Sequence, residues 1–210
     1  MTCAARRILS ASALALATAA LAACGAGRPT RYYQLSIPAA PAALPSADAY
    51  PVSLLVERLT APELYRGADM VYRTGPEELG IYEYHRWAAS PAEMLGMILV
   101  RRLRESGRYR SVELLRSRAT GNYVLRGHLY DFEEVDGPPL VARLSLEIDL
   151  EEASTGGTVW SHFYAHDQPV PGKGRGDVSA VVEALDANVE QAIGEITAGL
   201  DHYFSTHPPG

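Results

Sequence analysis

Residues 139–150 constrain the fold most strongly, because their side chains alternate between apolar and polar along the whole segment. The apolar positions are Leu140, Ala142, Leu144, Leu146, Ile148 and Leu150. A period of two indicates a β-strand with one buried face and one solvated face. Two further strand-like runs, 122–135 and 158–166, flank this segment across turn sequences that contain glycine. The three runs therefore predict an antiparallel meander.

Two other segments show the periodicity of amphipathic helices. Residues 91–106 begin with a capping-box pattern and have Pro91 at the first helical position. In residues 178–204 an apolar side chain recurs every three or four positions. Shorter strand-like runs lie at 31–37, 52–59, 69–73, 80–84 and 111–115. The whole pattern predicts an α+β fold, in which two helices pack on one face of a mixed, largely antiparallel sheet.

The N-terminus has the parts of a secretory signal peptide. Arg6 and Arg7 precede an apolar run over residues 8–20, and small residues follow. The run is too short to remain as a span of a bilayer core that is about 30 Å thick. We therefore expect residues 1–23 to be removed and the mature protein to have no transmembrane helix.

The sequence at 21–25, Leu-Ala-Ala-Cys-Gly, resembles the lipobox of bacterial lipoproteins. Cys24 is the predicted lipid attachment site, and an ordinary cleavage site with an incidental cysteine is the alternative. Two acyl chains would anchor the protein stably, because each buried methylene contributes about 0.8 kcal/mol. Residues 24–30 then form a short tether to a single domain over 31–206. Since Gly25 and not an aspartate follows the cysteine, we expect the outer membrane, with the domain facing the periplasm.

The net charge and the cysteine content disfavour two features of the mature protein. The net charge is −6 and becomes more negative once Arg6 and Arg7 are removed, which disfavours a nucleic-acid partner. The cysteine other than Cys24 is Cys3, inside the predicted signal peptide. The mature domain would therefore have no disulfide, although the periplasm is an oxidising compartment.

A histidine pair is the first candidate for chemistry. His162 and His166 share one face of a strand-like run, and Asp167 is adjacent to them. In an extended strand, at about 3.3 Å per residue, the two histidines lie about 13 Å apart, which is too far to hold one metal ion. We interpret this run as a solvated stripe of aromatic and histidine side chains.

Two other groups also fall short of a catalytic site. Strict alternation places His128 on the opposite face of its strand from Asp131 and Glu133. The loop 172–176 is rich in glycine but lacks the spacing of a phosphate-binding loop. We therefore expect no catalytic residue, no cofactor site and no metal site, and a protein that is not an enzyme.

Aromatic and basic side chains are concentrated between the second strand-like run and the first helix. The residues are Tyr65, Tyr72, Tyr82, Tyr84, His85, Arg86 and Trp87. Aromatic residues and arginine are typical of protein interfaces. They are equally common inside a sheet. The sequence therefore leaves two alternatives for this stretch, a protein interface or a position in the core.

Several segments together resemble the ABC-type transport auxiliary lipoproteins. They are YYQL at 32–35, LYRGADMVYR at 64–73, YHRWA at 84–88, GRYRSV at 107–112, and YVLRG at 123–127 with Phe132. The order and spacing of the set carry the resemblance, which covers nearly all of the mature chain.

The resemblance has implications for fold and function. It implies a fold like the N-terminal domain of TolB and a role beside MCE-domain proteins, ABC permeases and ATPases that move lipids between membranes. In such a system the lipoprotein is a non-enzymatic docking or conduit subunit on the outer-membrane side, and it can assemble with itself into a ring. The alternative is an adaptor for another envelope machine, such as cell-wall synthesis or secretion.

Overall fold

The computed structural model describes residues 28–36, 49–116, 118–171 and 176–208. The predicted signal peptide, Cys24 and Gly25, the end of the first strand-like run at Ile37, and residues 172–175 of the glycine-rich loop lie outside the described residues. The described residues from Arg31 onward belong to one compact unit.

Within the described ranges the chain forms eight strands and three helices. The strands are β1 Arg31–Tyr33, β2 Tyr50–Val56, β3 Asp69–Gly75, β4 Glu78–Trp87, β5 Tyr109–Leu114, β6 Tyr123–Val135, β7 Val141–Glu152 and β8 Thr158–Pro169. The helices are α1 Glu63–Arg66, α2 Pro91–Glu105 and α3 Val178–Thr206.

Strand β6 is the centre of the sheet. It pairs antiparallel with β7 along its length, and β7 pairs antiparallel with β8, which confirms the predicted meander. The other edge of β6 is shared, because β2 pairs in parallel with residues 123–125 and β3 pairs in parallel with residues 133–135. Beyond these strands, β5 extends the sheet from β2, and β4 and β1 extend it from β3. The predicted fold class, α+β with a mixed and largely antiparallel sheet, is confirmed.

The two long helices cover the apolar side of the sheet. Helix α3 packs on β7 and β8, whereas α2 packs on β5 and against α3. On β7, the side chains of Leu144, Ile148 and Leu150 are almost completely buried in the same core as Val189 and Leu200 of α3. Burying one such side chain contributes about 1.5–3 kcal/mol, so this helix–sheet contact is a main source of stability.

The helix boundaries follow their caps. The Ser90 hydroxyl accepts a hydrogen bond from the Glu93 amide at 3.3 Å, and the predicted helix begins there as expected. At α3 the Asp177 carboxylate accepts from the Ala180 amide, also at 3.3 Å. Such side-chain oxygens satisfy amide groups that lack a partner inside the helix. Gly107, just after α2, has a φ of 61°, a conformation that glycine adopts without steric cost.

Several strand boundaries differ from the sequence prediction, and those of β1, β2 and β4 show the physical reasons. Strand β1 ends at Tyr33, and Leu35 is buried in irregular chain beyond it. Strand β2 ends at Val56, after which the chain turns into the one-turn helix α1, which the sequence analysis did not foresee. Strand β4 is longer than predicted, because it pairs with β3 on one edge and with β1 on the other.

Candidate functional site: an exposed sheet face and an arginine-rimmed groove

The side of the meander that faces away from α3, here called the outer face, carries exposed aromatic side chains. Phe163 is 59% exposed and Tyr130 is 40% exposed. Their ring centroids are 5.8 Å apart, and the Tyr130 ring also lies 4.5 Å from that of His128. The Tyr130 hydroxyl donates to Glu147 at 2.9 Å, a contact that raises the pKa of this tyrosine. His128, Tyr130 and Phe163 form what we call the outer aromatic cluster.

A β-bulge shapes this face. The register of β6 against β7 shifts by one residue between Leu129 and Asp131, so that Tyr130 is an extra residue in β6. A bulge interrupts the alternation of a strand and redirects the side chains after it. His128, Asp131 and Glu133 therefore share the outer face. The prediction that His128 lies opposite the two carboxylates is wrong for this reason.

The two carboxylates both lie near Arg73 of β3, whereas His128 contacts Thr60 and Tyr130. Glu133 is buried, and its carboxylate accepts from the Tyr65 hydroxyl at 2.6 Å and from Arg73 Nε at 2.5 Å. Burial and the nearby carboxylate raise the pKa of Tyr65, and the hydrogen bond to Glu133 raises the pKa of Arg73. Asp131 accepts from the Ser145 hydroxyl. Glu133 thus acts as a structural ion-pair partner that ties α1 and β3 to β6.

The histidines of β8 face α3 and not the solvent. His162 Nε2 lies 3.4 Å from the Glu195 carboxylate of α3. The Tyr164 hydroxyl donates to Asn188 Oδ1 at 2.6 Å, and burial, with Glu195 nearby, raises the pKa of Tyr164 to about 12. His166 contributes its backbone carbonyl, which accepts from Asn188 Nδ2 at 3.0 Å. The interpretation of this run as a solvated stripe is therefore wrong, because the long final helix covers it.

Asp167 points to the outer face instead. It receives two hydrogen bonds of 2.7 Å from Arg143 on β7, which hold the pKa of the aspartate below its usual range. In the described ranges no three His, Cys, Asp or Glu side chains come together in a group that could hold a metal ion.

The aromatic stretch before α2 divides between core and surface. Tyr65 and Trp87 are buried. The other members are half-buried: Tyr72, Tyr82, Tyr84, His85 and Arg86. The Tyr72 and Tyr82 rings lie 5.0 Å apart, and the Tyr82 and His85 rings lie 5.6 Å apart. These contacts indicate that most of this stretch stabilises the β3–β4 hairpin.

A groove of about 600 Å³ runs along α2, and we call it the methionine groove. Its apolar lining includes Leu35, Ala89, Met94, Met97 and Ile98. Arg101 and Glu105, which form an ion pair at 3.8 Å, line it as well. Met97 is 61% exposed. The groove was not predicted from the sequence, since its lining comes from chain segments that are far apart in sequence. Met97, a methionine outside the buried apolar stripe of α2, was the signal that could have suggested it.

A second cavity of about 710 Å³, here called the arginine cleft, lies beside the groove. Arg104 and Leu114 line both cavities, so the two lie next to each other. Arg116 and Arg118 add two further guanidinium groups to the cleft, against one carboxylate from Glu113. Together the two cavities form an amphipathic site with an apolar end and a cationic end.

Comparison with known proteins decides the family. The family model for the ABC-type transport auxiliary lipoprotein component matches residues 33–197, a range that includes β2 to β8 and most of α3. The chain belongs to this family. The predicted resemblance is thereby confirmed. No curated protein matches this auxiliary lipoprotein.

Two solved structures share the fold of the auxiliary lipoprotein, and a third is similar to it at a lower score. Protein XCC0632 from Xanthomonas campestris has a TM-score of 0.66 and 23% identity, and the match covers 80% of this chain and 92% of that chain. An uncharacterized protein has a TM-score of 0.62 and 19% identity, with 82% and 99% covered. The PelC dodecamer from Paraburkholderia phytofirmans gives a TM-score of 0.41 and 18% identity, with 72% and 93% covered.

None of the helices in the described part of the chain is both long enough and apolar enough to cross a membrane.

Proposed function

We propose that this auxiliary lipoprotein is the non-catalytic outer-membrane subunit of an MCE-type system that moves lipids between membranes. The observation that carries the proposal is the family match over residues 33–197. A lipobox that ends at Cys24 precedes the matched range, with Gly25 in place of an aspartate. In this proposal Cys24 carries the acyl chains, and the domain faces the periplasm, where it docks an MCE-domain protein and its ABC permease and ATPase.

The outer aromatic cluster is our proposed docking surface for the MCE-domain subunit. Tyrosine and other large aromatic side chains that are clustered at a surface are typical centres of binding energy. Acidic side chains surround the cluster on the outer face: Asp131, Glu147, Asp149, Glu151 and Asp167. The basic side chains beside them are Arg126, Arg143 and Arg73, which lies 3.9 Å from Asp131. We therefore expect the partner to present an apolar pocket with a basic rim.

Strand β8 adds a second reason to place the partner here. In the described part of the sheet β8 pairs with β7 alone. The edge of β8 opposite β7 therefore has backbone groups available for another strand. The twelve residues of β8 include no lysine or arginine and one acidic residue, Asp167. Charged residues, lysine above all, are the usual protection of exposed sheet edges against pairing with other chains. An edge with so little protection is suited to a partner.

The anchor half of the proposal is tested by Cys24→Ala, with Cys3→Ala as a matched control. We expect intact mass to show acylated wild-type protein in the outer-membrane fraction, because two acyl chains hold a protein stably on a membrane. Cys3→Ala should behave like wild type, since Cys3 lies in the segment that is removed. Cys24→Ala should lose both the lipid mass and the outer-membrane location.

The partner half is tested by affinity purification of the wild-type lipoprotein after chemical cross-linking in its own cells. Recovery of an MCE-domain subunit with its ABC permease supports the proposal. An unmodified Cys24, an inner-membrane location, or recovery of cell-wall synthesis or secretion proteins in place of transporter subunits would overturn it.

A further inference from the structure

We propose that the methionine groove and the arginine cleft together bind one anionic glycerophospholipid, with an acyl chain in the groove and the phosphate in the cleft. The inference deepens the proposed function, on which it rests for the source of the lipid, by giving the subunit a lipid contact of its own. Binding itself can be measured without the transporter.

The apolar end fits an acyl chain. The groove has a volume of about 600 Å³, within the range of about 300–1,000 Å³ that is common for small-molecule sites. Methionine side chains are flexible and polarizable, so they adapt to chains of varied shape. Met97, the most exposed of the large apolar side chains on α2, would lose its contact with water when a chain lies along the helix.

The cationic end fits a phosphate. Arg104 stands where the two cavities meet, and its Nε donates to the Val112 carbonyl at 2.7 Å, which fixes the guanidinium at this boundary. Arg116 and Arg118 line the cleft beyond it. Guanidinium groups bind phosphate through paired, charge-assisted hydrogen bonds. Three arginines against one carboxylate, that of Glu113, give the cleft a positive charge in a chain whose net charge is −6.

The charge distribution is what selects this ligand over others. An apolar peptide would fill the groove but leave the arginine cleft without a counter-charge. A free phosphate would neutralise the cleft but leave the groove filled with water. An anionic glycerophospholipid satisfies both ends at once, because its acyl chain and its phosphate are esterified to the same glycerol.

The experiment is native mass spectrometry of the full-length lipoprotein in nonionic detergent, with phosphatidylglycerol, phosphatidylcholine or glycerol phosphate added. Wild type should bind one phosphatidylglycerol, more tightly than phosphatidylcholine. Met97→Glu should weaken this binding, and so should the double change Arg116→Gln and Arg118→Gln. We expect each to weaken it by about tenfold or more, since each removes apolar or charge-assisted contacts. Ile81→Glu, which changes an exposed apolar side chain on β4 away from both cavities, should bind as wild type does.

Four results would overturn the proposal. They are equal binding of all variants, equal binding of the two phospholipids, glycerol phosphate binding as tightly as phosphatidylglycerol, and phosphatidylglycerol binding only after Cys24→Ala. The last would mean that the protein's own anchor fills the groove. Failure of the docking proposal gives a different pattern, in which phosphatidylglycerol binds as expected but no MCE-domain subunit is recovered from cells.

Discussion

Replacing Arg73 with methionine is expected to lower the free energy of unfolding by about 3–5 kcal/mol, because the buried Glu133 carboxylate loses its counter-charge. Arg73 Nε lies 2.5 Å from this carboxylate, and the Glu133 side chain has no solvent exposure. Methionine keeps the apolar stem of the arginine, so the charge is the main loss. The Tyr65 hydroxyl, 2.6 Å away, would remain as a donor but carries no charge. Urea unfolding followed by circular dichroism measures the effect.

The control is Arg66→Met, which removes an arginine–glutamate pair at the surface. Arg66 and Glu63 have side-chain exposures of 65% and 88%, so this change should cost no more than about 1 kcal/mol. Adding Glu133→Gln to Arg73→Met should restore much of the stability, since the buried charge is then gone. A cost for Arg73→Met as small as that for Arg66→Met would show that this ion pair does not hold β3 to β6.

The second large effect is expected at Asn188, where leucine in place of asparagine should cost about 2–5 kcal/mol. Asn188 is completely buried on α3. Its Nδ2 donates at 3.0 Å to the carbonyls of Ala142 and His166, and its Oδ1 accepts from Tyr164. Leucine has the same number and branching of side-chain heavy atoms, so no cavity is left. The carbonyls of Ala142 and His166 and the Tyr164 hydroxyl each lose a partner at about 1–3 kcal/mol, partly offset by the added apolar burial and by the Asn188 backbone carbonyl, which stays 3.2 Å from the hydroxyl.

Gln191→Leu, one turn further along α3 and exposed, is the matched control and should change stability by less than about 0.5 kcal/mol. Tyr164→Phe should cost less than Asn188→Leu, because it removes one of the three hydrogen bonds. The double variant should then cost less than the sum of the two single variants, since they share that bond. Additive costs, or a negligible effect of Asn188→Leu, would contradict the role assigned to this side chain.

Local patterns predicted the parts of the fold that depend on local physics. The alternation in residues 139–150 and the glycine-containing turns predicted β6–β8 and their pairing, because period-two patterning and tight turns act between neighbours in sequence. The capping box at Ser90 and the apolar stripe of residues 178–204 predicted both long helices. The parallel pairing of β2 and β3 with opposite ends of β6 has no such local signal, since the strands are brought together only by the complete sheet.

The same distinction explains the errors at the candidate sites. Nothing in the sequence around Tyr130 indicates a β-bulge. Strict alternation therefore assigned His128 and Glu133 to opposite faces of β6, although they share one. The apolar stripe of α3 was predicted correctly. The side of β8 that α3 covers was not, because alternation alone does not show whether Tyr164 and its flanking histidines face the helix or the solvent. The two cavities combine segments around residues 35, 89, 97 and 116, and no window of sequence contains them together.

The central claim is that an MCE-domain subunit docks on the outer face, and photo-cross-linking from position 163 tests it most directly. We would place the photoreactive residue p-benzoylphenylalanine at Phe163 in the membrane-anchored protein, and at Glu183, exposed on α3, as the control. The account predicts a cross-link to an MCE-domain subunit from position 163 and none from position 183. Cross-links from 163 that reach only another copy of this chain, or an MCE cross-link from 183 and not from 163, would contradict it.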